Sequence, residues 1–303
     1  MGELKVGCYL IKTSNEDKIL FPKDNITKGD LINYYREIGP IMVPYTKDRP
    51  ISMVRYPDGI KGEGWYQKDA GTYFPDWIKI YPVKKKDGTV TNYVLINNTA
   101  TLVYLANQAV IAQHIWLSRT SKIDYPDRMI FDFDPSGKDF SMVQRGALIC
   151  KDLLDQLELP SFVMTTGSRG LHVVVPLKRL HTFEWVKTFA YDLATLMVEY
   201  HPDLFTLEMR KVNRKKLIFI DTLRNAFGQT GVAPYSVRPK PGAPIATPIT
   251  WNEVKSPTLK PNKWNINNIF SRIEKVGDLW KGMDKHAVSL KKARKVLDKH
   301  FDV

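Results

Sequence analysis

Met129-Ile130-Phe131-Asp132-Phe133-Asp134-Pro135-Ser136-Gly137 is the stretch on which the reading of the chain turns. An apolar run is interrupted twice by aspartate at a spacing of two, and a Pro-Ser-Gly turn signal closes it. Side chains alternate along a strand, so Ile130, Asp132 and Asp134 share one face while Phe131 and Phe133 point to the other. The phenylalanines suit a core. That leaves both aspartates on an open face.

Working outward, Ser141 to Leu157 has helical periodicity through Val143, Ala147, Leu148 and Leu154, and Pro160 ends it. Ser161 to Thr166 is a second strand. After the turn Gly167-Ser168-Arg169-Gly170 comes a third, Leu171 to Val175, then a helix over Thr182 to Glu199 and a fourth strand, Leu217 to Asp221. The order βαββαβ is the split-βαβ, RRM-like plan of an α+β protein: a four-stranded antiparallel sheet with helices on one face. In that plan the first strand lies between the third and fourth. His172 and Asp221 are therefore expected beside Asp132 and Asp134.

Clustered carboxylates raise each other's pKa and are unfavourable unless cations neutralise them. A pair of Mg²⁺ or Mn²⁺ ions ~3.5–4 Å apart answers this and serves in-line phosphoryl transfer, holding the attacking hydroxyl and the leaving oxygens. The simpler reading, in which Asp134 opens an Asp-Pro-Ser-Gly turn, leaves Asp132 unexplained inside an apolar strand. Phosphatases of the haloacid dehalogenase type also end a strand in Asp-x-Asp. They carry the motif near the N-terminus and add an acidic pair, whereas here it starts at residue 132 and no Asp-Asp pair exists.

The segment Thr165-Thr166-Gly167-Ser168-Arg169-Gly170-Leu171-His172 can cradle a triphosphate with backbone N–H groups, hydroxyls and an arginine. Alone it reads as a hairpin turn; its place beside the aspartates favours phosphate.

Across 303 residues, 45 Lys+Arg face 32 Asp+Glu, a formal net charge of +13 that points to polyanions, above all nucleic acid. Cys8 and Cys150 alone build neither a disulfide framework nor a four-cysteine zinc site, so no zinc and a reducing cytosol are expected. The N-terminal residues lack the apolar h-region of a signal peptide, and no span reaches the ~20 apolar residues of a membrane helix. No repeat, low-complexity tract or Gly/Ser linker divides the chain. One catalytic domain over 1–303 is expected, with lobes over about 1–125, 126–250 and a helical tail over 251–303.

In the first lobe, Thr27 is expected to cap a helix running through Asp30, Leu31, Tyr34 and Tyr35. Strands are expected at Ile51 to Tyr56 and Asn92 to Ile96, with turns at Pro57-Asp58-Gly59 and Lys86-Asp87-Gly88. In the tail, Lys285 to Phe301 places Leu290, Ala293, Leu297 and Phe301 on one helical face and most lysines elsewhere. That fits a docked amphipathic helix with a solvated basic side, or a DNA-binding tail.

Six ordered segments resemble the archaeo-eukaryotic primase superfamily, specifically the polymerase domain of the bacterial multifunctional DNA ligase D. They are Ile19-Leu20-Phe21-Pro22 with Thr27-Lys28, Val54-Arg55-Tyr56-Pro57-Asp58-Gly59, Phe131-Asp132-Phe133-Asp134-Pro135, Gly167-Ser168-Arg169-Gly170-Leu171-His172, Phe219-Ile220-Asp221-Thr222-Leu223-Arg224-Asn225, and Ala233-Pro234-Tyr235-Ser236-Val237-Arg238. The resemblance implies a primase-like core with an N-terminal α/β lobe. It implies an enzyme that adds nucleotides, ribonucleotides by preference, to DNA 3′ ends at gaps, nicks and breaks in non-homologous end joining, using two Mn²⁺ or Mg²⁺ ions.

By this resemblance Asp132, Asp134 and Asp221 are the catalytic and metal-binding triad. His114, Thr166, Ser168, Arg169, His172, Arg224, Arg238 and Arg55 are nucleotide contacts, with Thr166 and Arg169 standing where relatives commonly carry serine and lysine. Arginine keeps the charge but changes the contact to a fork. Lys18 and Lys28 match a pair that holds a DNA 5′-phosphate; Trp65, Tyr66 and Lys68 match a base-stacking aromatic pair and its lysine, each stacked base being worth about 1–3 kcal/mol. Taken without the resemblance, His114 reads as a buried histidine, the lysines as solvated and the aromatics as core.

The length leaves no room for a fused ligase or nuclease, so a stand-alone polymerase or an excised domain is expected, partnered by Ku and an ATP-dependent DNA ligase. A cytoplasmic, nucleoid-associated location without membrane contact follows. Priming in damage tolerance uses the same chemistry. A non-catalytic RRM-like binding module would need aromatics where Asp132, Asp134 and His172 stand.

Overall fold

The computed structural model describes residues 2–85 and 87–301, and of Phe301 only its place in a helix; Lys86 and the Phe301 side chain lie outside the described residues. The chain forms two compact units, each discontinuous in sequence. One comprises Met1–Ser121, Val232–Ala246 and Trp264–Lys275, the other Lys122–Gly231, Thr247–Lys263 and Val276–Val303.

The first unit begins with two small antiparallel pairs, β1 (Gly2–Val6) with β2 (Tyr9–Thr13) and β3 (Ile19–Phe21) with β4 (Ile26–Thr27). Helix α1 (Lys28–Thr46) starts at Thr27 as expected. The Thr27 hydroxyl accepts the Asp30 N–H, and the Asp30 carboxylate accepts the Thr27 N–H, a reciprocal capping box. A sheet follows from β5 (Ile51–Arg55) and β6 (Trp65–Gln67), and a hairpin from β7 (Ile80–Lys84) and β8 (Val90–Val94). β8 starts and ends two residues before the expected strand because the pairing of Lys84 with Val90 sets its register from the Asp87-Gly88 turn. Helix α2 (Thr99–Asn107) packs on α1 so closely that a Cβ at Gly39 would lie 2.4 Å from Thr99. The fully buried β9 (Val110–Trp116) pairs with β5, and Ala233 donates to the Gln113 carbonyl.

The second unit holds the expected βαββαβ core: β10 (Arg128–Pro135), α3 (Phe140–Gln156), β11 (Phe162–Thr165), β12 (Leu171–Pro176), α4 (Phe183–Tyr200) and, after the two-residue β13 (Phe205–Thr206), β14 (Ile218–Asp221). β10 lies between β12 and β14 as that plan requires. The sheet has six strands rather than four. β13 adds in parallel beside β14, and Thr247–Ile249 adds antiparallel beside β11. Both edge strands are too short to show an alternating pattern in sequence.

Phe131 and Phe133 are fully buried in a core with Val143, Ala147 and Leu154 of α3 and Val186, Phe189 and Leu193 of α4. Each such ring contributes about 1.5–3 kcal/mol by leaving water. The C-terminal helix is shorter than its periodicity suggests, Lys291–Phe301, because Val288 is drawn into a bridge with Leu177 and Ser289 caps the Lys291 N–H. Its Leu290, Ala293 and Leu297 face is buried in the same core, while Lys292 pairs with Glu158 and Arg294 with Asp192. That is the docked amphipathic arrangement. Among the described residues no helix is long and apolar enough to cross a membrane.

Candidate active site

The second unit gathers the aspartates. In the antiparallel ladders on either side of β10, Asp132 lies opposite His172 of β12 and opposite Asp221 of β14. Two residues on, Asp134 lies opposite Phe219. Alternation puts the carboxylates on the face away from the phenylalanine core.

Cationic side chains meet these carboxylates. The Arg224 Nε is 3.3 Å from Oδ2 of both Asp132 and Asp221, and His172 Nε2 is 3.5 Å from Asp132 Oδ2. Arg169 Nη2 donates to Asp134 Oδ1 at 2.8 Å, and Arg214 Nη1 to Asp134 Oδ2 at 3.0 Å. Burial pushes the Asp132 carboxyl up, but His172 and Arg224 outweigh it and hold it well below the usual carboxylate range. Asp221 goes the other way: burial raises it, Arg224 opposes, and the neighbouring charge of Asp132 adds to the rise.

Asn225 braces the arrangement. Its Oδ1 accepts the Ile130 N–H, and its Nδ2 donates to the Ile130 and Thr222 carbonyls, so the turn carrying Arg224 is tied to β10.

The turn between β11 and β12 is tight. A Cβ at Gly170 would lie 2.1 Å from the Phe133 carbonyl oxygen, which only glycine permits. Thr166 is buried. Its hydroxyl donates to the Gly170 carbonyl and accepts the N–H groups of Ser168 and Gly170, so it shapes the turn from within. Arg169 is half exposed at the turn's tip, and His172 is buried with its Nδ1 lacking a protein partner.

Among the described residues no three acidic, histidine or cysteine side chains converge as they stand into an ion-binding group; guanidinium groups meet the oxygens of Asp132 and Asp134. The donor set nevertheless suits a hard divalent cation. Asp132, Asp134 and Asp221 offer only carboxylate oxygens, Asp132 opposite Asp221 across the ladder and Asp134 two residues on along β10.

Arg214 was not foreseen. It is buried over the Phe219 ring at 4.1 Å and is anchored by the Glu208 and Met209 carbonyls, which aims its fork at Asp134. In sequence it stands in a basic run, Arg210 to Lys216, with nothing to distinguish it from its neighbours.

The first unit holds the remaining expected residues. His114 on β9 is buried, edge-on to Tyr66 at 5.7 Å. Arg55 donates to the Gln108 carbonyl, Gln67 Oε1 and the Tyr73 hydroxyl, and lies over the Trp65 ring. Arg238 is half-buried after the buried segment 231–237. Trp65 and Tyr66 are both exposed on the short β6, which disposes of core packing for either, and Lys68 is exposed beside them.

Lys18 and Lys28 are brought together: the Lys28 N–H donates to the Lys18 carbonyl. Lys18 pairs with Asp58 at 2.6 Å. Lys28, far from solvated, is 5 % exposed, and its ammonium reaches Ser14 Oγ and the Asn107 carbonyl. Burial, with the neighbouring Lys18, lowers its pKa against the pull of Glu16. Asn107, also unforeseen, accepts the Ser14 N–H and donates to the Lys12 carbonyl, so it fixes the segment leading to Lys18.

An RRM-like sheet bearing three carboxylates on its open face, with a Gly-Ser-Arg-Gly turn beside them, defines a nucleotidyltransferase of the primase-polymerase class. Residues 27–280 match the family described as LigD, primase-polymerase domain, and the chain belongs to that family. It is 32% identical over 263 residues to the bifunctional non-homologous end joining protein LigD of Bacillus subtilis, covering 86% of this chain and 42% of that protein. It is 30% identical over 281 residues to the multifunctional non-homologous end joining protein LigD of Mycolicibacterium smegmatis, covering 91% of this chain and 36% of that one. The chain thus spans less than half the length of these relatives. The solved polymerase domain from Mycobacterium tuberculosis Ligase D in complex with DNA superposes with a TM-score of 0.86 at 28% identity, over 91% of this chain and 99% of that one.

Proposed function

We propose that this protein is a template-directed primase-polymerase that adds nucleotides, ribonucleotides by preference, to DNA 3′ ends at gaps, nicks and double-strand breaks in end joining. The observation that carries the reading is the register that sets Asp132 against Asp221 and His172. These clustered carboxylates suit hard divalent cations, with Mn²⁺ or Mg²⁺, two ions, as the proposed occupants. Held by Asp132, Asp134 and Asp221, such ions would supply Lewis-acid activation of a hydroxyl and neutralisation of phosphate charge.

The residues of the chain do the rest. Asp132, Asp134 and Asp221 hold charge at fixed positions. Arg169 and Arg224 stand ready to neutralise the phosphates, Arg169 from the tip of a turn whose Ser168 and Gly170 N–H groups are held by Thr166. Ser168, Thr166 and His172 line or shape that turn, and Arg55, His114 and Arg238 are proposed as further nucleotide contacts. Lys18 and Lys28 are proposed to hold a DNA 5′-phosphate, a point charge suiting a terminal phosphate. Trp65, Tyr66 and Lys68 are proposed to stack on and flank bases. DNA, NTPs and dNTPs are the proposed substrates, Ku and an ATP-dependent DNA ligase the proposed partners, and the cytoplasm with its nucleoid the proposed location.

The test is incubation with gapped, primed DNA, Mn²⁺ and each rNTP and dNTP. Templated extension that disappears in Asp132→Ala is expected. No extension by the native chain under any condition would return the protein to the non-catalytic binding class.

A further inference from the structure

A cleft of about 600 Å³ lies within the second unit beside this site. Its walls are the loop after β10, through Lys138 and Ser141, and the segment 257–262, through Lys260; Ser168 and Arg169 also line it. Three cations, Lys138, Arg169 and Lys260, thus face one concavity. The single carboxylate on its lining, Asp139, is committed elsewhere: it caps α3, accepting the N–H and hydroxyl of Ser141 at 2.9 and 2.7 Å. Arg169 belongs to both places. One amino group of its fork is bonded to Asp134, and the same side chain lines the cleft.

A concavity whose lining is net positive concentrates anions, and its ligand should be small and highly anionic. We propose that the cleft receives the inorganic pyrophosphate released by nucleotidyl transfer, an inference that rests on the polymerase reading. In that transfer the 3′-hydroxyl oxygen bonds the α-phosphorus and the α–β bridging P–O bond breaks. Its electron pair leaves on the β-phosphate and the hydroxyl proton passes to solvent, so the departing group carries the charge that the three cations match. Arg169 stands where the product leaves the aspartates, and Lys138 and Lys260 draw it outward.

The experiment is titration calorimetry of the full chain with pyrophosphate in EDTA, orthophosphate and ATP serving as comparison ligands, on the native protein and on Lys138→Ala, Lys260→Ala and the double variant. Both lysines are exposed, so melting temperatures should be unchanged. Pyrophosphate should bind more tightly than orthophosphate and weaken about fivefold in each single variant, the scale of one partly exposed charge contact. Product inhibition by pyrophosphate in primer extension should weaken in parallel, with KM for the incoming nucleotide unchanged. Equal pyrophosphate affinity in native and variant proteins, or no binding by the native chain, overturns the proposal. So does a rise in nucleotide KM that matches the loss of pyrophosphate affinity, since the lysines would then serve the triphosphate. Calorimetry needs no turnover, so failure of the cleft and failure of the polymerase reading are told apart.

Discussion

Asp132 and Asp221 face each other across the β10–β14 ladder, and a single guanidinium, that of Arg224, lies 3.3 Å from a carboxylate oxygen of each. Two like charges are thus held side by side with one cation already between them, the electrostatic situation a divalent ion would complete. The opposed pKa directions of the pair express the same thing: Asp132 is kept ionised by His172 and Arg224, while Asp221 is raised by burial and by its neighbour's charge.

Removing either carboxylate should therefore abolish incorporation. Asp132→Ala and Asp221→Ala are expected to lower the extension rate by about 10³-fold or more, the scale of losing a preorganised charge at the reacting centre. Excess Mn²⁺ should raise the melting temperature of the native protein but not of Asp132→Ala, because only a folded-state site gains stability from its ligand. Calorimetric scans with and without Mn²⁺ check this apart from activity.

Lys28 and Asn107 should control discrimination at a DNA end. Lys28→Ala is expected to reduce the preference for 5′-phosphorylated over 5′-hydroxyl gapped DNA by about tenfold or more, the loss of a charge-assisted hydrogen bond. Asn107→Ala should lower the same ratio although it leaves both lysines in the sequence, because Asn107 fixes Ser14 and Lys12 and its neighbourhood positions the Lys28 ammonium. Fluorescence anisotropy on the two substrates measures the ratio; a mere loss of stability would weaken both equally.

Gly170→Ala should cost about 1–3 kcal/mol of stability and most of the activity, since its Cβ would meet the Phe133 carbonyl at 2.1 Å and the backbone must move. Gly137→Ala, with open space around the added methyl group, should leave the melting temperature as it is. Urea denaturation of the two variants beside the native chain decides the matter.

Alkaline stability should depend on Tyr35. Burial pushes its phenol up to about 12 against a countervailing bond from the Val237 N–H, and its hydroxyl donates to the Ile111 carbonyl. A phenol whose folded pKa is raised gives its full stabilisation below the ordinary value of 10.0 and loses it as pH climbs through about 12. Tyr35→Phe should cost about 1–3 kcal/mol at neutral pH by orphaning two buried backbone groups, and should flatten the fall in stability between pH 10 and 12. Urea midpoints across that range test the slope.

The catalytic lobe was legible because its signals are local. Strict alternation in Met129 to Asp134 separates Phe131 and Phe133 from the two aspartates, and the βαββαβ order then dictates which strands flank β10. Legible too were the Thr27 cap and the buried stripe of Leu290, Ala293 and Leu297. The short edge strands beside β14 and β11 were not legible, since two or three residues cannot show a period; nor was the break at Val288, where pairing with Leu177 overrides helical periodicity.

By itself the sequence determined the polarity of β10, the neighbours of Asp132 and the membership of six ordered motifs in one family, because alternation, turn chemistry and element order act over a few residues at a time. Only the tertiary structure decided that Arg214 rather than any other cation of its basic run aims at Asp134, that Lys28 is buried against Asn107, that Thr166 turns its hydroxyl inward, and that Lys138 and Lys260 face one cleft with Arg169. These depend on which way long, flexible side chains are turned. That direction is set by carbonyls, rings and carboxylates supplied from distant parts of the chain, and no local pattern records it.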